Sequence, residues 1–283
     1  MNITVAGAGA GKTTSMAKKV LDRHKEIGSR KIIYVVTYTN AARDRIREKV
    51  IEENGSIPNQ VCIETYHSFL LKEFIFPFHH ILYQSQYIQA TQITLSDNNA
   101  FKNIKIKELE ASGQIHVEKV TEVAKWIIYG KSTDRKIHKQ NREKILSIIT
   151  NYLDAVFVDE AQDIDEHLSQ IIEALDQKNL HVALVGDPKQ DLRGRNTFRK
   201  LIQKYPEHTL FLEDNHRCPI SHVSLTNKFV DQKERQIPRS DQQGTLKYLY
   251  EQDVEIEDVL KRECWDHVFI LKKMIGLLLT LLM

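Results

Sequence analysis

The sequence predicts an α/β fold in which a parallel sheet, buried on both faces, is interrupted by a mostly helical insertion. Three observations carry that prediction. Short apolar runs recur along the chain, several of them continuous rather than alternating, as strands covered on both faces require. Helical patterns follow the first two runs, and strand–helix–strand alternation marks a doubly wound core. The alternation lapses between 68 and 151 and then resumes.

Asn2–Val5 is the first expected strand, followed by the glycine-rich stretch AGAGAGKTT (Ala6–Thr14) and a helical pattern over Lys12–Glu26. Lys31–Thr37 is the second strand and Ala41–Glu53 the second helix. Gly28 and Gly55 stand just past the two helices, where helix-ending glycines are favoured. Val61–Glu64 is the third strand. Helical patterns then run over Ile104–Ala111, Val117–Tyr129 and Asn141–Leu153, with no clear buried strand between Ser68 and Asn151. Ala155–Val158, His181–Val185 and Thr209–Leu212 complete the series. From Pro238 a new segment opens, with GTLKYLY (Gly244–Tyr250) as a strand. The expected division is therefore a core domain from 1–67 and 152–236, an inserted helical subdomain at 68–151, and the start of another domain at 237–283.

The 283 residues suffice for one large domain or two smaller ones. A hydrophobic share of 41% and a charged share of 28% are those of an ordinary globular chain, and a net charge of +2 does not by itself announce nucleic acid. Cys62, Cys218 and Cys264 show no CxxC spacing, which argues against a zinc site or disulfide framework and for a reducing compartment. The N-terminus lacks the basic and apolar regions of a signal peptide. The terminal IGLLLTLLM is shorter than the ~20 residues of a spanning helix. A cytoplasmic location without membrane attachment is expected.

A glycine-rich turn between a strand and a helix lets successive backbone N–H groups converge on one anion. Ala6, Gly7, Ala8, Gly9, Ala10, Gly11, Lys12, Thr13 and Thr14 are the expected nucleotide-binding set. Lys12 would reach the β and γ phosphates and the Thr13 hydroxyl would ligate Mg2+. The plain alternative is a small-residue turn with an exposed lysine. VFVDEAQD (Val156–Asp163) ends a buried strand in two acids, at the sheet edge where open α/β sheets bind ligands. Asp159 would hold the metal and Glu160 would orient and deprotonate water, although acids after a strand also serve as helix caps. ALVGDPKQ (Ala183–Gln190) brings Asp187 and Gln190 to the same edge, with Gln190 facing the γ phosphate or the water; an Asp-Pro turn is the alternative.

Together these stretches resemble the superfamily 1 DNA helicases of the UvrD/Rep/PcrA type. VTYTNAARDRIREKV (Val36–Val50), ETYHSF (Glu64–Phe69) and LEDNHRCP (Leu212–Pro219) match further motifs of that family, in order, across Asn2–Val230. The resemblance implies a RecA-like P-loop NTPase core using ATP and Mg2+. It implies that Arg217 contacts the γ phosphate and that His216 replaces the tyrosine that stacks on adenine. In the DNA-facing motifs it implies that Tyr38 stacks on a base, that Thr39 and Asn40 hold a phosphate, and that His67 and Ser68 make a further backbone contact. Arg43, Arg45, Arg47 and Lys49 alternate with Asp44 and Glu48, so that helix face is read as solvated.

The chain also departs from the family pattern. No adenine-reading glutamine precedes the first strand, and DLRGRN (Asp191–Asn196) has no aromatic where the family has aromatics facing DNA. WDHVFIL (Trp265–Leu271) looks like the start of a second RecA-like domain, and KKMIGLLLTLLM then matches nothing, as in a truncated chain or a short form with a partner. The implied function is that of the complete family, ATP-dependent 3'-5' translocation along and unwinding of single-stranded or partially duplex DNA. Slow hydrolysis and little unwinding are expected of this chain alone, with a protein partner supplying the second RecA-like domain or a nuclease. A second expectation is a regulatory ATPase subunit of a DNA repair or anti-phage complex. A third, a small-molecule kinase, is opposed by the DEAQD, GDPKQ and NHR motifs.

Overall fold

A computed structural model describes residues 1–245, 247–249, 268–270 and 280–282. These divide into two compact units, Met1–Ala6 with Lys12–Leu210, and Gly7–Gly11 with the described residues from Phe211 onward.

The first unit is built on strands β1 (Asn2–Ala6), β2 (Ile32–Thr37), β3 (Val61–Thr65), β6 (Leu153–Val158), β7 (His181–Gly186) and β8 (Thr209–Leu212), the first two residues of β8 belonging here. Their order in the sheet is β3-β2-β6-β7-β1-β8. The β3–β2, β2–β6, β6–β7 and β7–β1 pairs are parallel. All six expected strands are present, within two residues at each end. Ile33, Val35, Val36, Phe157, Val158 and Leu184 are buried along them, which is why these runs read as continuously apolar.

Helix α1 (Lys12–Glu26) buries Met16, Ala17, Val20 and Leu21, a stripe at helical spacing. Helix α2 (Asn40–Asn54) packs beside it. Gly55 ends α2 as expected: at φ 78° it is left-handed, and its N–H donates to Ile51 O at 2.7 Å. Gly28 also lies just past its helix, as expected; it is not left-handed and opens a turn, its carbonyl accepting from Lys31 N at 3.0 Å. Helices α8 (Glu166–Gln177) and α9 (Thr197–Lys204) complete the layers, each burying one amphipathic face.

Between β3 and β6 lie α3 (Tyr66–Leu70), a π-helical turn (Leu71–Ile75), α4 (Phe76–Tyr83), α5 (Asn99–Ala111), α6 (Val120–Ile128) and α7 (Lys136–Tyr152). The segment is not wholly helical. β4 (Gln89–Thr91) and β5 (Gln114–His116) form a short parallel pair whose three-residue strands are too brief to show a period in sequence. Polar ties fix the helices to the sheet: Glu73, in the π-helical turn, accepts hydrogen bonds from Tyr34 Oη at 2.5 Å and Tyr152 Oη at 2.6 Å. Inside the insertion, the buried Arg142 donates to Trp126 O and Ile127 O, each at 3.1 Å, and pairs with Asp134. Burial alone would raise the Asp134 carboxyl, but Lys131 N–H and the Arg142 guanidinium outweigh it and hold it below the usual range. Gly130 (φ 106°) is required beside this pair, because a Cβ there would stand 2.9 Å from the Arg142 guanidinium.

In the second unit β9 (Asp214–Asn215) and β10 (Ile237–Pro238) pair in parallel around α10 (Ile220–Thr226). β11 (Lys247–Leu249), β12 (Val268–Ile270) and β13 (Thr280–Leu282) form an antiparallel sheet with β13 in the middle. The expected Gly244–Tyr250 strand is described over 247–249, and of Trp265–Leu271 only 268–270 is described. Cys264 lies outside the described residues. Among the described residues no helix is long and apolar enough to cross a membrane.

Asp134→Ala leaves Arg142 buried without its carboxylate, and unfolding stability is expected to fall by about 3 kcal/mol. A urea midpoint shift checks this; a loss under about 0.5 kcal/mol would show that water replaces the carboxylate.

Candidate nucleotide and nucleic-acid site

Because the strands are parallel, β1, β2, β6 and β7 end at one edge, and the residues following them share it. Val158 pairs with Val36, and Asp159, the next residue, donates its backbone N–H to Val36 O at 2.9 Å. The Asp159 side chain is buried and its Oδ1 has no hydrogen-bond partner. Burial, reinforced by the charge of Glu160, pushes its carboxyl up to about 6 against the pull of Lys12 and Arg45. An unpaired buried carboxylate is costly unless a cation joins it. Magnesium is commonly bound through one or two protein oxygens, with phosphates and waters completing its shell. Asp159 fits such a ligand, and Thr13, in the first turn of α1, offers a hydroxyl.

Glu160 adopts φ 52° and ψ 47°, a left-handed conformation that carries strain for any residue with a Cβ. The surroundings over-determine it. Its carbonyl accepts from Asp163 N at 2.9 Å, its Oε2 accepts from Gln162 Nε2 at 2.8 Å, and Lys12 Nζ stands 3.8 Å from the same oxygen. Gln162 is buried, and its Oε1 accepts from Asp187 N at 2.9 Å. Asp187 accepts in turn from Gln190 Nε2 at 2.9 Å and Lys189 N at 3.1 Å. Lys12, Glu160, Gln162, Asp187 and Gln190 thus form one polar chain across three strand ends. Gly186 gives it room, since a Cβ there would stand 2.8 Å from Gln162 Oε1. Sequence reasoning assigned Gln162 no role. Its signal was a glutamine two places after the acids, beside a second strand ending in Gly-Asp.

On the same edge Tyr38 stacks with Tyr66, ring centroids 5.4 Å apart at 25°, and Tyr66 meets His67 at 4.1 Å. Burial lowers the His67 pKa, with Asp165 opposing. The Thr39 hydroxyl accepts from Ala42 N at 3.1 Å and caps α2, while Thr65 caps α3 and donates to Ser68 Oγ at 3.1 Å. Thr39 and Asn40 are exposed beside Tyr38. The loop without aromatics contributes a cation instead: the Arg193 guanidinium lies 4.7 Å from the Tyr38 ring centre. Asp191 stiffens that loop by accepting from the N–H groups of Arg195 at 3.2 Å and Asn196 at 2.7 Å. Leu192, beside Arg193, is 94% exposed.

The phosphate-loop residues Gly7–Gly11 belong to the second unit, with His216 and Arg217. Ala6, at the end of β1, is fully buried, so its methyl group fills core where a glycine would leave a gap. Gly9 (φ 78°) and Gly11 (φ 70°) are left-handed, and Ala10 N donates to Gly7 O at 3.3 Å. Asn215 Nδ2 donates to Ala8 O at 2.8 Å, and His216 N to Gly9 O at 3.0 Å. Asn215 Oδ1 accepts from Arg217 N at 3.1 Å and Cys218 N at 2.8 Å. The backbone of the Asn-His-Arg stretch therefore lies on the loop, while the His216 and Arg217 side chains are exposed.

The AAA domain family matches residues 1–194. The probable DNA helicase II homolog of Mycoplasma capricolum subsp. capricolum is 25% identical over 277 residues, covering 80% of this chain and 38% of that protein. The Gabija protein GajB of Bacillus cereus is 26% identical over 265 residues, covering 91% of this chain and 52% of that protein. The chain thus spans at most about half the length of these curated relatives.

The raised Asp159 pKa has a definite consequence for stability. The protonated group's contribution is fully present below about 3.8 and is lost as pH rises through about 6. Asp159→Asn is expected to leave stability unchanged near pH 4 and to raise it by roughly 1–3 kcal/mol at pH 7 in the absence of nucleotide. Urea unfolding of both proteins across that range is the check; equal stability at pH 7 would contradict the assignment.

Proposed function

The chain belongs to the AAA domain family, matched over residues 1–194, and from that premise we propose that it binds and hydrolyses ATP as a UvrD-like DNA helicase does. The observation that carries this reading is the continuous Lys12–Glu160–Gln162–Asp187–Gln190 chain beside the unpaired Asp159 carboxylate. Similarity to a DNA helicase II homolog over 80% of the chain supports DNA as the polymer acted upon.

Bound MgATP would supply an electrophilic phosphorus and a cation that neutralises phosphate charge. The backbone from Ala6 to Thr14 would cradle the phosphates, with Lys12 as their point charge and Thr13 and Asp159 as the metal ligands. Glu160, held by Gln162 and Lys12, would take the proton of the attacking water. Gln190, its amide N–H engaged by Asp187, would offer its oxygen to that water. Arg217 would stabilise charge developing on the γ phosphate and His216 would stack on the base. Tyr38 and Arg193 would support an unstacked DNA base, with Thr39, Asn40, His67 and Ser68 along the backbone.

In this reading 1–67 and 152–236 form the RecA-like ATP-binding domain, 68–151 the inserted subdomain and 237–283 the beginning of a second RecA-like domain, and the protein works in the cytoplasm. A second reading, a regulatory ATPase subunit of a repair or anti-phage complex, is compatible with the similarity to Gabija protein GajB over 91% of this chain. In that case a nuclease or complete helicase partner should co-purify.

Phosphate release measured with and without single-stranded DNA tests the assignment. Lys12→Ala is expected to lose nucleotide binding, while Glu160→Gln keeps binding and loses turnover by about 10²–10⁴. Normal turnover by Glu160→Gln would remove it as the base. Separately, Tyr38→Ala and Arg193→Ala are each expected to weaken binding of a fluorescent oligonucleotide by about tenfold. ADP affinity should not change in either, and an unchanged oligonucleotide affinity would exclude the pair from the DNA surface.

A further inference from the structure

The alternation of glycine and alanine in AGAGAG has a structural cause that the phosphate alone does not explain. A Cβ at Gly11 would meet nothing within 4 Å, whereas one at Gly7 would stand 2.5 Å from the side-chain amide of Gln236. One at Gly9 would stand 2.5 Å from Asn215 Oδ1 and 2.7 Å from Arg217 Cβ. Gly9 is therefore required by residues that arrive more than two hundred positions later, and Gly7 leaves the space that the Gln236 amide occupies.

Gln236 is buried, although no sequence motif contains it. Its Oε1 accepts from Asn215 Nδ2 at 3.1 Å and its Nε2 approaches Ala8 O at 3.4 Å, the carbonyl that Asn215 also holds. The main chain of Gln236 is pinned on both sides by one residue: Gln236 N donates to Asn227 Oδ1 at 2.9 Å, and Asn227 Nδ2 donates to Gln236 O at 2.8 Å. The following residues then enter the β9–β10 ladder, where Ile237 N donates to Glu213 O at 2.6 Å and Arg239 N to Asn215 O at 2.8 Å.

We propose that Gln236 is a positioning residue for the phosphate loop. Delivered by Asn227 and the β9–β10 ladder, its amide completes a buried bridge through Asn215 to Ala8 O. That bridge holds the loop carbonyl turned away from the phosphate side, which leaves the loop N–H groups free for an anion. Buried amides of this kind act as fixed geometry, since every unmet hydrogen bond there is costly. The same Asn215 carries the N–H groups of Arg217 and Cys218 on its other atom, so loop geometry and arginine placement share one support.

The proposal rests on the nucleotide-binding reading above, and one experiment separates the two. Fluorescent ADP and a non-hydrolysable fluorescent ATP analogue are titrated into the full chain and into Gln236→Met, Asn227→Ala and Arg217→Ala. Gln236→Met keeps the volume and loses the amide. It is expected to weaken both nucleotides equally, by about tenfold, at a temperature where the variant remains folded, and to lower the nucleotide-free melting temperature by a few degrees as the Asn215 amide loses its acceptor. Asn227→Ala should move both affinities in the same direction without touching the loop, and it carries the test if Gln236→Met does not fold. Arg217→Ala should weaken the triphosphate alone. Wild-type affinity for both nucleotides in Gln236→Met would overturn the proposal, as would a loss confined to the triphosphate. A wild-type chain that binds neither nucleotide would overturn the nucleotide-binding reading and the proposal with it.

Discussion

A buried carboxylate with an unpaired oxygen is the constraint on which the site depends. Asp159 sits one residue past a fully covered strand, where water cannot solvate it and Glu160 adds a second negative charge. Lys12 and Arg45 do not compensate for that environment, and the carboxyl is pushed up to about 6. A stable protein retains such a group when a ligand relieves it, and a divalent cation does so while using Asp159 as an anion. The strained backbone of Glu160 belongs to the same arrangement: strain of this kind persists where surrounding contacts over-determine it. Here those contacts run from Lys12 through Gln162 to the next strand.

The sheet makes this possible without any long-range instruction. Parallel strands end together, so a lysine after β1, two acids after β6 and an Asp-Pro-Lys-Gln turn after β7 meet because of register alone. Within the second unit, β9 and β10 do the same at smaller scale, bringing Gln236 and Asn215 to Ala8. In both places a short glutamine or asparagine bridge converts strand pairing into side-chain position.

What could be read from sequence follows from what is periodic or local. Apolar runs show all six strands of the main sheet, and those of the central strands are continuous because both of their faces are buried. Lys12, Asp159, Glu160 and Gln190 are legible since each lies within a short motif at a strand end. Gln162, Arg193 and Gln236 are harder to read, because each takes its position partly from a residue 25 or more places away, Asp187, Tyr38 and Ala8 respectively. β4 and β5 escape because three residues carry no period.

The central claim is that Asp159 is held ready for a divalent cation delivered with nucleotide. Electron paramagnetic resonance of Mn2+, titrated into the chain with and without ADP, reads this directly. One tightly bound Mn2+ that requires nucleotide is expected in the wild type, and its loss in Asp159→Asn. Tight Mn2+ binding that persists unchanged in Asp159→Asn would contradict it.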